Sequence, residues 1–99
     1  MQEDHVSMGW GAARKLRVVV ENLVRIVAIE CVTAARAIEL RAPLRPAAGT
    51  AAAVARLRAA EIPGAGPDRW LAPELAAAER LVADGSLLDA VQECVGPLR

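Results

Sequence analysis

The stretch Leu16–Arg41, LRVVVENLVRIVAIECVTAARAIELR, decides the fold because it holds no proline or glycine and repeats apolar residues at helical spacing. Its polar side, extended one turn back, gathers Arg14, Arg17, Glu21, Asn22, Arg25, Arg36 and Glu39. Its opposite side carries Leu16, Val19, Val20, Leu23, Val24, Val27, Cys31, Ala34 and Ile38. The pattern predicts one long helix over residues 9–42.

The apolar surface of this helix is wider than one neighbouring helix can cover, because Val18 and Val32 also lie among the charges. We therefore expect several packing partners. Glu30 and Thr33 fall within the apolar arc, where an unpaired carboxylate is costly to bury. For Glu30 an ion pair with an arginine of another helix is favoured over a catalytic role.

Shorter helices are predicted over residues 43–99, after Pro43 stops the long helix. Ala51–Ala60 is an alanine-rich segment that Thr50 is placed to cap. A third helix is predicted from Pro73 to Asp84. Ser86, with Asp89 three residues on, is predicted to form a capping box for a last turn or two. Strand alternation is absent, so the sequence predicts an all-α fold in a single unit over residues 1–99.

The composition limits both the core and the partners. With no Phe, no Tyr and two Trp, the core must be built from Ala, Val, Leu and Ile, and Trp10 and Trp70 are predicted to be packing residues. Twelve Lys+Arg against twelve Asp+Glu give a net charge of +0, and the dispersed charges form no basic face. This excludes nucleic acid as an expected partner.

The chain is expected to be cytoplasmic, without a membrane anchor. Its first residues lack the basic-then-apolar order of a signal peptide, and a charge soon interrupts each apolar run. Cys31 and Cys94 stand far apart without a CxxC or Cys/His pattern, which argues against a zinc site and allows at most one disulfide. Free, partly buried thiols in a reducing compartment are favoured over that disulfide.

The opening run Gln2–Met8, QEDHVSM, concentrates an amide, two carboxylates and the only histidine in four positions. Such a concentration indicates a site. A carboxylate such as Glu3 can accept a hydrogen bond from an imidazole N–H, stabilise an imidazolium or transfer a proton. The alternative from the residues alone is that Glu3 and Asp4 only favour the amino end of a helix through its dipole.

Four segments together resemble the histidine-specific members of the aromatic amino-acid lyase family: Gln2–Met8, Leu16–Arg41, Asp68–Leu81 and Gly85–Val91. The resemblance spans nearly all 99 residues and matches the carboxyl-terminal portion of those enzymes. It implies an active-site segment over 1–8, a long helix over 9–42 and short helices over 43–99 within a helical-bundle lyase fold. It also implies a homotetramer, which would cover the wide apolar surface.

The resemblance implies a catalytic and substrate-binding role for Glu3 and a substrate-binding role for Gln2. Relatives that act on phenylalanine or tyrosine usually carry Gln-Asp-Val at this point, with an amide in place of Glu3. His5 is expected to be structural, because adjacent residues rarely converge on one metal ion and no second histidine is present.

The family's reactive group is missing from these residues. Its members use a methylidene-imidazolone (MIO) formed from an internal Ala-Ser-Gly, whereas Ser7 and Ser86 are the only serines and neither stands between Ala and Gly. The family's catalytic tyrosine is also absent. We expect the complete enzyme to convert L-histidine to trans-urocanate and ammonia, and this chain to be inactive alone. The alternatives are a non-catalytic helical assembly module and part of a related aromatic amino-acid lyase or aminomutase.

Overall fold

Four helices account for the regular structure of the computed structural model, which describes residues 8–99 together with the bounds of the first helix. They are α1 (Gln2–Leu40), α2 (Ala48–Ala59), α3 (Ala72–Ala83) and α4 (Ser86–Val95). No strand occurs in the described part of the chain. The prediction of an all-α fold is therefore confirmed.

The end of α1 lies two residues before the predicted residue 42. Beyond Leu40 the chain tightens, since the amide of Arg41 donates to the Ile38 carbonyl and that of Ala42 to the Glu39 carbonyl, both at 3.1 Å. These three-residue turns carry the backbone to Pro43, which cannot continue the helix.

The α2 helix begins earlier than predicted and ends in a Schellman motif. Ala47 occupies the N-cap without a side-chain hydrogen bond, so the prediction that Thr50 caps this helix is wrong. At the other end the Ile62 amide donates to the Leu57 carbonyl at 3.2 Å and the Glu61 amide to the Arg58 carbonyl at 3.0 Å. The motif folds the Ile62 side chain back beside Leu57, and both are buried.

The α3 and α4 helices follow one another with a turn at Gly85. Pro73 stands in the first turn of α3, as its second residue instead of the predicted first, because the helix begins at Ala72. Gly85 takes a φ of 81° that favours glycine. Gly85 is also the N-cap of α4, so the capping box predicted for Ser86 does not form. Instead the Ser86 amide donates to the Asp84 carboxylate at 2.8 Å, and α4 runs for ten residues instead of a turn or two.

The core is small and lies between α1, α2, α3 and the turn that follows α2, with α4 packed against it. Helix α1 packs mainly on α3, α2 packs mainly on α4, and the buried set is Ala28, Val32, Ala35, Leu57, Ile62, Ala78 and Leu81. The α1 members are two alanines and one valine, so α3 approaches α1 closely on the side that carries the charges.

Most of the apolar surface of α1 remains uncovered. Leu16 is 63% exposed and Leu23 56% exposed, and the three valines between them and the isoleucines at positions 26 and 29 are similarly open. The Cα radius of gyration is 17.7 Å, against about 13 Å for a compact domain of about 100 residues. Helix α1 therefore projects well beyond the other three, as expected for a helix that needs further partners.

The two tryptophans do not pack as predicted. Trp10 is 63% exposed and Trp70 is 82% exposed. The Arg14 guanidinium lies 5.2 Å from the Trp10 ring centroid, a cation–π distance. Trp10 lies on the projecting part of α1, and Trp70 lies on the loop before α3, so neither reaches the small core.

Replacing Glu61 by glycine is expected to stabilise the chain. Glu61 has a φ of 63° at the position where a Schellman motif usually has glycine, and a left-handed conformation costs a residue with a Cβ about 1–2 kcal/mol. Part of that gain is offset by the freer unfolded chain, so Glu61→Gly should raise the free energy of unfolding by about 0.5–1 kcal/mol. Urea unfolding followed by circular dichroism measures it.

The matched control is Glu93→Gly, because Glu93 is exposed within α4. Glycine in a helix interior should lower the free energy of unfolding by about 1 kcal/mol. A loss of stability in Glu61→Gly as large as in the control would contradict the assignment of this motif.

Candidate functional site

The residues predicted to carry chemistry, Gln2 and Glu3, lie outside the described residues, as does His5. Their roles stay predictions. The described residues show what the rest of the chain contributes around that segment: an ion-pair network, a cleft and an open helix face.

A network of two arginines on one carboxylate joins α1, α3 and the loop between α2 and α3. Arg36 Nη2 donates to Glu74 Oε2 at 3.1 Å, and Arg69 Nε donates to Glu74 Oε1 at 2.5 Å. The second Arg69 nitrogen, Nη2, also donates to the Gly64 carbonyl at 2.9 Å. The planar guanidinium of Arg69 thus holds the loop to the start of α3. Glu74 holds both of them to α1 through its bond with Arg36.

A second pair secures the same loop from α2. Arg58 Nε donates to Glu39 Oε1 at 2.8 Å, and Arg58 Nη1 donates to the Ile62 carbonyl at 2.6 Å. Gly64 lies so close to the Glu39 carboxylate that an added Cβ would displace it. A larger residue at position 64 would therefore have to move the Glu39 carboxylate away from its place beside Arg58.

From the sequence, Arg36 and Glu39 are predicted to lie on the polar side of the long helix, with no partner identified in the chain. The available signal was the presence of Ala28 and Ala35 on that same side, seven residues apart. Small residues at that spacing allow another helix to approach, and charges beside them can then pair across the contact.

The carboxylates of this network are held in their charged form. Hydrogen bonding from Arg69, aided by the nearby charge of Arg36, lowers the pKa of Glu74 below its ordinary 4.5. Hydrogen bonding from Arg58 lowers the pKa of Glu39 in the same way. A carboxylate with a lowered pKa and both oxygens engaged is suited to fixing a structure, and poorly suited to general acid catalysis at neutral pH.

An open cleft of about 560 Å³ lies further along α1, where α3 diverges from it. Its apolar floor and charged rim are formed by Val20, Glu21, Val24, Arg25, Ala76, Glu79, Arg80 and Ala83. Arg25 and Glu79 approach across it, with Arg25 Nε 3.8 Å from Glu79 Oε2 and both side chains at least one-third exposed. Such an exposed pair contributes little stability.

Glu30 and Thr33 are exposed, and the predicted ion pair of Glu30 with an arginine of another helix does not form among residues 8–99. The apolar arc in which they lie is the uncovered side of α1. Burial, with a smaller effect from the charge of Glu30, raises the pKa of the Cys31 thiol above its ordinary 9.0. Cys31 therefore stays protonated at neutral pH, and both it and Cys94 are free.

Residues 8–99 bring together no cluster of three or more side chains able to hold a metal ion. None of the helices in that part of the chain combines the length and apolar character required to cross a membrane.

The stability of the chain should fall in acid through Glu74. Because its pKa is lower in the folded chain than in the unfolded chain, the contribution of this group is complete above pH 4.5 and is lost as the pH falls through the lowered value. Glu74→Gln should remove that part of the acid dependence. Unfolding midpoints in urea between pH 7 and pH 3 measure the difference between the two proteins.

The control is Glu93→Gln, because Glu93 is exposed and takes part in none of the ion pairs of residues 8–99. It should keep the acid dependence of the natural sequence. Parallel pH profiles for Glu74→Gln and the natural sequence would show that the network does not stabilise the fold.

Comparison with known proteins identifies the family. The model of the family described as aromatic amino acid lyase matches residues 1–59, which include the opening motif, all of α1 and all of α2. This match covers more than half of the chain, and no solved structure was found that matches it.

Curated relatives match over almost the whole chain. Histidine ammonia-lyase from Streptomyces griseus is 62% identical over 100 residues, which cover 99% of this chain and 20% of the relative. The histidine ammonia-lyases from Streptomyces avermitilis and Streptomyces coelicolor are 59% and 57% identical, again over 99% or more of this chain and 19% of the relative. The chain thus spans about one fifth of the length of these relatives, and it belongs to the aromatic amino acid lyase family.

Proposed function

We propose that this chain is the carboxyl-terminal part of a histidine ammonia-lyase, an enzyme that converts L-histidine to trans-urocanate and ammonia. The observation that carries the proposal is the 57–62% identity to three relatives named for that activity, sustained over almost all of the chain. Each of those relatives is about five times longer, so the activity belongs to the complete enzyme.

Glu3 is the residue of this chain that we assign to the reaction, with Gln2 beside it. A carboxylate at Glu3 would accept a hydrogen bond from the imidazole N–H of the substrate and hold that ring in place. It would also stabilise a positive charge on the ring or accept its proton. An amide at the same position could accept the hydrogen bond but has no negative charge and could not accept the proton, which accounts for a preference for histidine over phenylalanine or tyrosine.

The electrophilic MIO group does not fit the residues present here. Its formation needs Ala-Ser-Gly, but Ser7 follows valine, and Ser86 lies between Gly85 and Leu87 with its hydroxyl bonded to Asp84. We therefore assign the electrophile to another part of the enzyme, and we propose that this chain alone does not release ammonia.

The described part of the chain supplies the framework that carries the opening segment. The Glu74 and Glu39 ion pairs fix the loop and the short helices against the charged side of α1. The opposite, apolar side of α1 is exposed. Each square ångström of apolar surface left in water forgoes about 25 cal/mol of stabilisation that burial would provide. We propose that a homo-oligomer, a homotetramer in the complete enzyme, covers it.

We also propose a cytoplasmic location, which is compatible with two free thiols.

A chimeric enzyme tests the proposed function. Residues 1–99 replace the matching fifth of the Streptomyces griseus enzyme, and the product is assayed with L-histidine by urocanate absorbance. The chimera should deaminate histidine, and Glu3→Ala within it should lower the turnover by about 100-fold or more, the usual size of a lost acid–base or charge-stabilising group.

The matched control is Glu93→Ala in the same chimera, which removes an exposed carboxylate of α4 and should leave turnover unchanged. Sedimentation of each variant establishes that it assembles like the parent. Near-normal turnover in Glu3→Ala would refute the assignment of Glu3. A folded chimera that acts on tyrosine but not histidine would favour a related lyase, and urocanate production by residues 1–99 alone would refute the separate electrophile.

A further inference from the structure

The turn between α3 and α4 holds the one Asp-Gly pair of the sequence, Asp84–Gly85. The other aspartates precede histidine, arginine and alanine, in the order Asp4, Asp68 and Asp89. An Asp-Gly pair is prone to a reaction of its own, because glycine has no side chain to hinder the attack of its nitrogen on the preceding carboxyl group. Asp84 is exposed in this chain, so water and protons reach its carboxyl group.

We propose that Asp84–Gly85 is a site of spontaneous isomerisation to isoaspartate, and that the Ser86 hydroxyl keeps the rate of this reaction low. The Gly85 nitrogen loses its proton and bonds to Cγ of protonated Asp84, a carboxyl oxygen leaves as water, and a succinimide ring closes. Water then opens the ring at either carbonyl. When it breaks the original bond between Asp84 and Gly85, the main chain runs through Cβ and Cγ of Asp84, with no net change in mass.

The folded turn holds these atoms where the ring cannot close. With a ψ of −3° at Asp84, the Gly85 nitrogen eclipses the Asp84 nitrogen, so the Cα–C bond of Asp84 must rotate before the Gly85 nitrogen can reach Cγ. The Gly85 amide donates to the Val82 carbonyl at 3.4 Å, and the Gly85 carbonyl accepts from the Asp89 amide at 2.9 Å. The reaction therefore proceeds from a locally opened turn, and its rate follows how often that turn opens.

Ser86 holds the carboxylate of Asp84 in the closed turn. The Ser86 amide donates to Asp84 Oδ1 at 2.8 Å, and the Ser86 hydroxyl donates to the same oxygen. Hydrogen bonding from the hydroxyl and the amide also lowers the pKa of Asp84 below its ordinary 3.8, which reduces the protonated fraction that can lose water. Both effects slow the reaction, so removal of the hydroxyl should speed it.

Isomerisation changes the start of α4. It lengthens the main chain directly before Gly85, the N-cap of α4, and it converts the carboxyl group that Ser86 contacts into a backbone amide. Leu87, the next residue after Ser86, packs against the core. A chain that has isomerised should therefore hold α4 less firmly. The reaction is independent of the activity proposed above, because it needs only this turn and water.

Peptide mapping of the 99-residue chain after long incubation at neutral pH tests the proposal. Isoaspartate peptides elute apart from aspartate peptides at unchanged mass, and a protease specific for aspartate does not cut at them. Isoaspartate should accumulate at position 84 ahead of the other aspartates. S86A should raise the rate by about three- to tenfold, the factor by which one hydrogen bond shifts an equilibrium, and S86T, which keeps a hydroxyl, should stay within about twofold of the natural chain.

The control for the site is D84E, whose longer side chain would have to close a larger ring and should give no rearranged product at this position. The control for folding is the same comparison in urea, where the turn is absent. There the natural chain should react faster than it does when folded, and S86A should react at the same rate as the natural chain.

Equal rates for folded S86A and the folded natural chain would overturn the proposal. So would a natural chain that reacts no faster in urea than when folded, or isoaspartate that forms as fast at Asp89 as at Asp84. An excess rate in S86A that persisted in urea would also overturn it, because the hydroxyl would then act without the turn. Each of these outcomes leaves the chimera and its urocanate assay unaffected.

Discussion

The length of α1 is the constraint on which the rest of the structure depends. A helix of 39 residues extends about 58 Å, and the three helices that follow are 12, 12 and 10 residues long. They can cover one side of part of it, where Ala28, Val32 and Ala35 are buried. The remainder of its apolar surface has to be covered by protein outside the described residues, which is why the chain resembles a component of an assembly.

The two sides of α1 pack in the reverse of the way that their composition indicates, since the charged side is covered within the chain and the apolar side is not. The charged side faces the chain's own helices, because small residues let α3 approach while Arg36 and Glu39 form ion pairs with Glu74 and Arg58. The apolar side faces outward. Ion pairs of this kind set the geometry of the short helices, and the larger hydrophobic gain is left for association with other protein.

Much of the fold could be predicted from sequence, since the proline-free run before Pro43 and the glycine at position 85 are local signals. The start of α2 could not, because no side chain caps it, and neither could the burial of Ile62, which depends on a left-handed Glu61. Which side of α1 packs within the chain could not be predicted either, because it depends on residues far away in sequence, such as Glu74. Glu3 and Gln2 were assigned by resemblance, and their roles stay predictions.

Hydrogen exchange of the α1 backbone amides tests the central claim most directly, namely that the outward side of α1 is an interface. The amides from Leu16 to Ile29 should be protected at high concentration and should exchange faster on dilution, as the copies separate and the uncovered helix opens locally. Amides of α2 and α3 near Leu57 and Ala78 should change less, because they are packed within one chain. Protection of α1 that is independent of concentration would contradict the account.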